Sequence, residues 1–184
     1  GAKSLAVNLS DIAAMAGTPR SAFLSLALPS DVAVSWVDAF FRGLRRLARS
    51  HGVALLGGDT THSKGPIVVN IAVLGTAAPG RIKFRSTARE GDVIAVTGLL
   101  GDSGAGLRLL TNGLTVGRDE RPLVAAHLRP RVHLEEGAWL GRRPDVRALM
   151  DVSDGIDSDL RRILEASRRG AVLDLEKIPL SPSL

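Results

Sequence analysis

Three short segments hold residue types that an ordinary core would not choose. The first is Asn8-Leu9-Ser10-Asp11, where Asp11 is the only charge between Ala6 and Thr18. An ionised carboxylate among apolar neighbours is costly unless it is paired or bound to a cation. Asp11 therefore faces solvent, pairs with an Arg, or serves a metal ion; spacing leaves all three open.

The second segment is Gly57-Gly58-Asp59-Thr60-Thr61. Two glycines after a strand let backbone approach a ligand closely, and N–H groups there can receive phosphate oxygens. Asp59 could hold a divalent metal, with Thr60 and Thr61 as hydroxyl donors. The alternative is a plain turn capped by the Asp side chain. The Gly-Lys-Ser/Thr of a P-loop is absent.

The third segment, Asp151-Val152-Ser153-Asp154-Gly155-Ile156-Asp157-Ser158-Asp159, places four carboxylates within nine residues at a predicted strand-to-helix junction. Acidic residues at a helix N-terminus each gain about 0.3–1 kcal/mol. Like charges one turn apart lose about 0.2–0.5 kcal/mol, so capping explains part of the cluster. It does not explain Asp151, which is expected at the end of a buried strand. Carboxylates crowded at such a strand end suit Mg²⁺, which takes oxygen ligands and bridges phosphates. The spacing is not that of an EF-hand.

Other chemistries find little support. The chain has no Cys, which removes disulfides, thiolate catalysis and Cys-based metal sites. The four His residues form no H-E-x-x-H pattern, and there is no G-x-S-x-G elbow. Gly98 to Gly106 lacks the G-x-G-x-x-G register of a dinucleotide site.

The elements that must position these residues alternate helix and strand. Leu5 to Ala16 reads as a helix and Ser21 to Leu28 as a strand. Ser30 and Asp31 offer caps for a helix to about Ser50, whose apolar positions Val34, Val37, Phe40, Phe41, Leu44, Leu47 and Ala48 keep a period near 3.6. Val53 to Leu56, Ile67 to Leu74, Val93 to Val96, Ala148 to Val152 and Ala171 to Leu175 read as strands. Helices are expected from the Gly98–Gly106 loop through Leu110, from Pro122 to His127, to about Leu140, and from Asp157 to Arg169. The pattern predicts an α/β fold. A composition shift near Arg89 to Asp92 divides it into residues 1–89 and 90–184.

The 184 residues allow one large domain or two small ones. No run reaches the roughly 20 apolar residues of a membrane span, and no signal peptide is seen at Gly1, so a cytoplasmic protein is expected. The 24 basic and 19 acidic side chains leave +5, with the Arg residues spread along the chain. Such charge favours anionic partners, but aromatics at 3% without Tyr argue against a nucleic-acid stacking surface. The chain begins inside an apolar helical pattern and stops just after a strand-like run, so it reads as an internal piece of a longer protein.

In their order and spacing these segments resemble the thiamine-monophosphate kinase family of the aminoimidazole-ribonucleotide-synthetase-like superfamily. The residues that carry the likeness are Leu5 to Met15, Gly57 to Thr61, Arg85-Ser86 with Gly91-Asp92, Thr97-Gly98 with Gly101-Asp102-Ser103, His127 to Pro130, and Asp151 to Gly155 with Ser158-Asp159-Leu160. The resemblance implies two α/β domains with mixed sheets, both incomplete here, the first holding ATP and pairing with a second copy as a homodimer. It implies ATP- and Mg²⁺-dependent phosphorylation of thiamine monophosphate to thiamine diphosphate by direct transfer, with no covalent nucleophile. By the matching motifs Asp11, Asp59, Asp151 and Asp154 would hold Mg²⁺, and Gly58, Asp59, Arg85 and Ser153 would contact ATP. The family's remaining acidic residues and substrate segments have no counterpart in this chain, so on its own it is expected to be impaired. A related enzyme with another acceptor, or a non-catalytic dimer-forming fragment, are the alternatives.

Overall fold

Leu5, Leu9 and Ala13 recur every four residues, which gives helix α1 (Ala2–Ala14) one buried stripe. Phe40, Leu44 and Ala48 do the same for α2 (Val34–Ser50). A computed structural model describing residues 1–184 shows both helices against one face of a three-stranded sheet. Its strands are β1 (Thr18–Leu28), β2 (Ala54–His62) and β3 (Val68–Thr76), in the order β2-β1-β3. β1 and β2 are parallel, with α2 as the crossover that a parallel pair requires. β3 is antiparallel to β1.

Every second residue of β1 points to the helices. Ala22, Leu24 and Leu26, with Ile71 of β3, meet Leu5, Leu9, Phe40, Leu44 and Ala48 in the core. Each leucine fully buried there contributes about 1.5–3 kcal/mol. The opposite face carries Phe23, Ser25, Asn70, Val68 and Leu74, and its large apolar side chains are exposed.

The second half is mainly helical: α3 (Asp102–Thr111), α4 (Arg121–Leu128), α5 (Leu134–Arg142) and α6 (Ile156–Ser167), with 3-10 turns at Arg85–Thr87 and Leu175–Lys177. α3 and α4 lie close because Gly106 has no side chain: a Cβ there would stand 2.1 Å from the Leu123 carbonyl oxygen. No helix is long and apolar enough to cross a membrane.

Several expected elements differ. Val93–Val96, Ala148–Val152 and Ala171–Leu175 form no strands. Alternation predicts a face, but a strand exists only where a neighbour completes its ladder. Here a lone parallel bridge joins Leu100 and Leu180, and Val93 and Val172 stand more than nine-tenths exposed. Gly57 to Thr61 is not a turn but the middle of β2. α2 begins at Val34 without a side-chain cap, leaving Ser30 and Asp31 outside it.

The two halves meet on α1. Gly137 of α5 sits so close that a Cβ would come 2.3 Å from the Ala13 carbonyl oxygen, and a Cβ on Gly141 would come 2.4 Å from the Ala16 Cβ. Lys3 Nζ lies 3.1 Å from His127 Nε2, and Val132 packs against the first half's core.

Candidate active site

The segment before α6 is built around one acid. Asp159, in the first turns of α6, is 2% exposed. Its Oδ2 accepts the backbone N–H groups of Ser153 at 2.8 Å, Asp154 at 2.9 Å and Gly155 at 3.2 Å. Gly155 has φ +120°, a conformation that glycine adopts without strain. The loop thus curls back over its own helix. Its three amides are occupied and cannot cradle a phosphate, while Ser153 and Asp154 keep exposed side chains.

Asp151 leads into this loop and comes near Asp11 of α1. Burial, and then the negative charge of Asp151, push the Asp11 carboxyl above its ordinary range. Both causes favour the neutral carboxyl, although Asp11 is an exposed residue of α1 and only Asp151 is half-buried. The charge of Asp151 in the second half is thus felt at Asp11 in the first.

Asp154 has a different neighbour. Its Oδ2 accepts a hydrogen bond from Arg162 at 2.8 Å, and the same guanidinium lies 3.5 Å from Asp159 Oδ1. Arg85 sits at the other end of α6. Ser167 Oγ donates to the Arg85 carbonyl at 2.7 Å and accepts the Ala88 N–H at 3.1 Å. At 1.5 Å per residue, α6 separates the Arg85 turn from the acidic loop by about 18 Å.

Asp59 and Gly58 do not join this group. Asp59 pairs in register with Ser25, which lies between Leu24 and Leu26 on β1. Leu24 and Leu26 point to the helices, so Ser25 and Asp59 share the uncovered face. Ser25 is also opposite Asn70, giving a polar row Asp59–Ser25–Asn70 across that face. Asp59 Oδ1 accepts the Thr60 N–H at 2.9 Å. Gly58 has φ +148°, and a Cβ there would lie 1.7 Å from the Leu24 carbonyl oxygen. The paired glycines thus serve a strand pressed against its neighbour, beside a register shift at Ala22/Phe23.

No three His, Cys, Asp or Glu side chains come together as a metal cage. Asp11 and Asp151 both offer the hard oxygen donors that Mg²⁺ takes, and a divalent cation would offset the Asp151 charge that adds to desolvation in raising Asp11. Sequence reasoning missed the structural roles of Asp159, Arg162 and Ser167. Asp159 stood among the clustered acids, but capping and metal-facing carboxylates look alike in sequence.

Comparison with known proteins agrees with this architecture. The family description "AIR synthase related protein, N-terminal domain" matches residues 1–77, and "AIR synthase related protein, C-terminal domain" matches residues 89–184. The thiamine-monophosphate kinase of Escherichia coli strain K12 is 42% identical over 184 residues, covering 99% of this chain and 55% of that protein. The crystal structure of the thiamine-monophosphate kinase from Stenotrophomonas maltophilia K279a superposes with a TM-score of 0.91 at 37% identity, covering 99% of this chain and 58% of that one. A structure described as "AaThiL complexed with AMPPCP and TMP" gives a TM-score of 0.92 at 34% identity, over 98% of this chain and 57% of that one. The chain spans about half the length of the curated relatives it matches. Carrying the N-terminal and C-terminal domains in that order, with thiamine-monophosphate kinases similar along nearly all of it, the chain belongs to the AIR synthase related family.

Proposed function

We propose that the protein transfers the γ-phosphoryl group of ATP directly onto the phosphate of thiamine monophosphate, giving thiamine diphosphate and ADP, in a Mg²⁺-dependent reaction in the cytoplasm. The observation that carries this reading is the likeness to thiamine-monophosphate kinases along nearly all of the chain, one relative having been solved with AMPPCP, an ATP analogue, and TMP. Support also comes from Asp11 and Asp151, carboxylates from the two halves, the charge of the second helping to raise the first.

Joining two anions requires charge neutralisation and alignment more than a nucleophilic side chain. Asp11 and Asp151 would each hold Mg²⁺, and Asp154 would join as a further ligand from the same loop once released from Arg162. Bound there, the metal would screen phosphate oxygens and favour charge developing in transfer. Ser153 would contact the nucleotide through its hydroxyl, because its amide is committed to Asp159. Arg85, held by Ser167, would meet ATP from the other end of α6. No step requires a phosphoenzyme.

Gly58 and Asp59 enter this reading through a homodimer. A second copy laid on the open sheet face would cover Phe23, Val68 and Leu74, and would enclose the Asp59–Ser25–Asn70 row. Asp59 would then act on metal and ATP at the interface.

Incubation with Mg-ATP and thiamine monophosphate, followed by chromatography, tests the proposal. Equal yields of ADP and thiamine diphosphate are expected. ATP binding without thiamine diphosphate would favour a related enzyme with another acceptor. Failure to bind ATP would favour a non-catalytic, dimer-forming role.

A further inference from the structure

We infer that Asp159 is the positioning residue of the acidic loop: it holds the amides of Ser153, Asp154 and Gly155, fixes Ser153 and Asp154 after Asp151, and leaves none of the three N–H groups free for a phosphate. The inference rests on the metal role proposed above for Asp151 and Asp154, and adds a residue to which that reading gives no part.

Loops rich in glycine and small residues before a helix commonly bind phosphate through free backbone amides. The sequence Ser153-Asp154-Gly155 before α6 has that outward form. The amides of all three residues instead converge on Asp159 Oδ2. The Asp159 N–H donates to the Gly155 carbonyl at 3.0 Å, so loop and helix hold each other in both directions. With its donors turned inward, the loop presents acceptors to its surroundings: the Asp154 carboxylate, one oxygen of which Arg162 holds, the Ser153 hydroxyl and, just before them, Asp151.

Capping alone would not require so deep a carboxylate. Asp159 is 2% exposed, and its second oxygen, Oδ1, makes no hydrogen bond and faces the Arg162 guanidinium at 3.5 Å. A capping Ser or Asn at the helix start would satisfy one amide at the surface. This acid is set four residues into the helix and gathers three amides at once. Ser153 and Asp154 are thereby anchored at a single point beside Asp151. Groups that orient metal ligands in this way typically change metal affinity or activity by about 10–100-fold when removed.

Mn²⁺ binding to the nucleotide-free protein, read by electron paramagnetic resonance, tests the inference with Asp159→Ala, Asp159→Asn and Asp151→Asn. Asp159→Ala should weaken Mn²⁺ by about 10–100-fold. Asp159→Asn keeps an oxygen that can accept the three amides, and should stay within about threefold of wild type. Wild-type affinity in Asp159→Ala, with Asp151→Asn impaired, would overturn the positioning role alone. Equal weakening in Asp159→Ala and Asp159→Asn would also overturn it, since charge rather than loop shape would then matter. Normal binding in Asp151→Asn would instead sink the metal reading of the loop. Should Asp159→Ala not fold, hydrogen exchange in the wild type decides: slow exchange at the Ser153 and Asp154 amides is required, and fast exchange at both overturns the inference.

Discussion

The Asp11 carboxyl is raised above its ordinary range by desolvation and then by the charge of Asp151, which the other half of the chain carries. The folded chain therefore holds the Asp11 proton more tightly than the unfolded chain does. Asp11 subtracts stability above its folded pKa, and the penalty vanishes below the unfolded value near pH 4. Asp11→Asn should accordingly raise Tm at pH 7 without divalent cations, with the gain disappearing as pH falls below about 4. In Mg²⁺ the order should reverse in function, with turnover falling at least about 100-fold, the equivalent of a few kcal/mol of lost metal-assisted stabilisation. Calorimetric melts at two pH values and steady-state kinetics on the same preparations read both effects.

Arg162 competes for a proposed metal ligand. Its bond to Asp154 is a partly exposed ion pair, of a kind worth about 0.2–1 kcal/mol. Arg162→Gln should free Asp154 and tighten Mn²⁺ by about two- to fivefold. It should also lower Tm by a few degrees, because Asp159 Oδ1 loses the only cation near it. Weaker Mn²⁺ binding in this variant would identify Arg162 as a support of the loop and not a competitor.

Gly137→Ala tests how the site depends on the junction between halves. The new methyl would meet the Ala13 carbonyl oxygen at 2.3 Å, forcing α5 away from α1. Overpacking of this kind costs about 1–3 kcal/mol. Since α1 carries Asp11, Mn²⁺ affinity should fall along with Tm, although Gly137 touches neither acid. A lower Tm with unchanged Mn²⁺ affinity would separate the junction from the site.

The paired glycines of β2 should respond unequally. Gly58→Ala drives a methyl into the Leu24 backbone and is expected to abolish soluble expression. Gly57→Ala meets nothing within 4 Å and should cost only the backbone strain of its φ of +155°, about 1–3 kcal/mol. Expression yield and thermal denaturation distinguish the two.

Ser167→Ala removes both hydrogen bonds that tie the Arg85 turn to α6. KM for ATP should rise about three- to tenfold, matching the roughly 0.5–1.5 kcal/mol of a typical hydrogen bond, while kcat changes little.

The sequence made some of this visible and hid the rest for physical reasons. The period of Phe40, Leu44 and Ala48 announces α2, because packing one helix face is a local property. Asp11 and Asp151 stand out as carboxylates in apolar surroundings, yet nothing in either segment names the other as its neighbour. Val93 and Val172 have strand character, but a ladder depends on partners elsewhere, and none pairs with them. Gly57-Gly58 reads as a turn because glycine permits one; here the same freedom lets an extended strand press against β1. The role of Ser167 was unreadable, since a serine at the end of a helix has many ordinary uses.

Helix α1 belongs by sequence to the N-terminal domain, yet it is a shared wall, with the sheet on one side and Gly137 and Gly141 of α5 against its end. Neither half can melt without stripping cover from the other. Heating should therefore produce one cooperative endotherm rather than two, and any separation of the halves at this seam would have to break the backbone-level contact between Ala13 and Gly137 first.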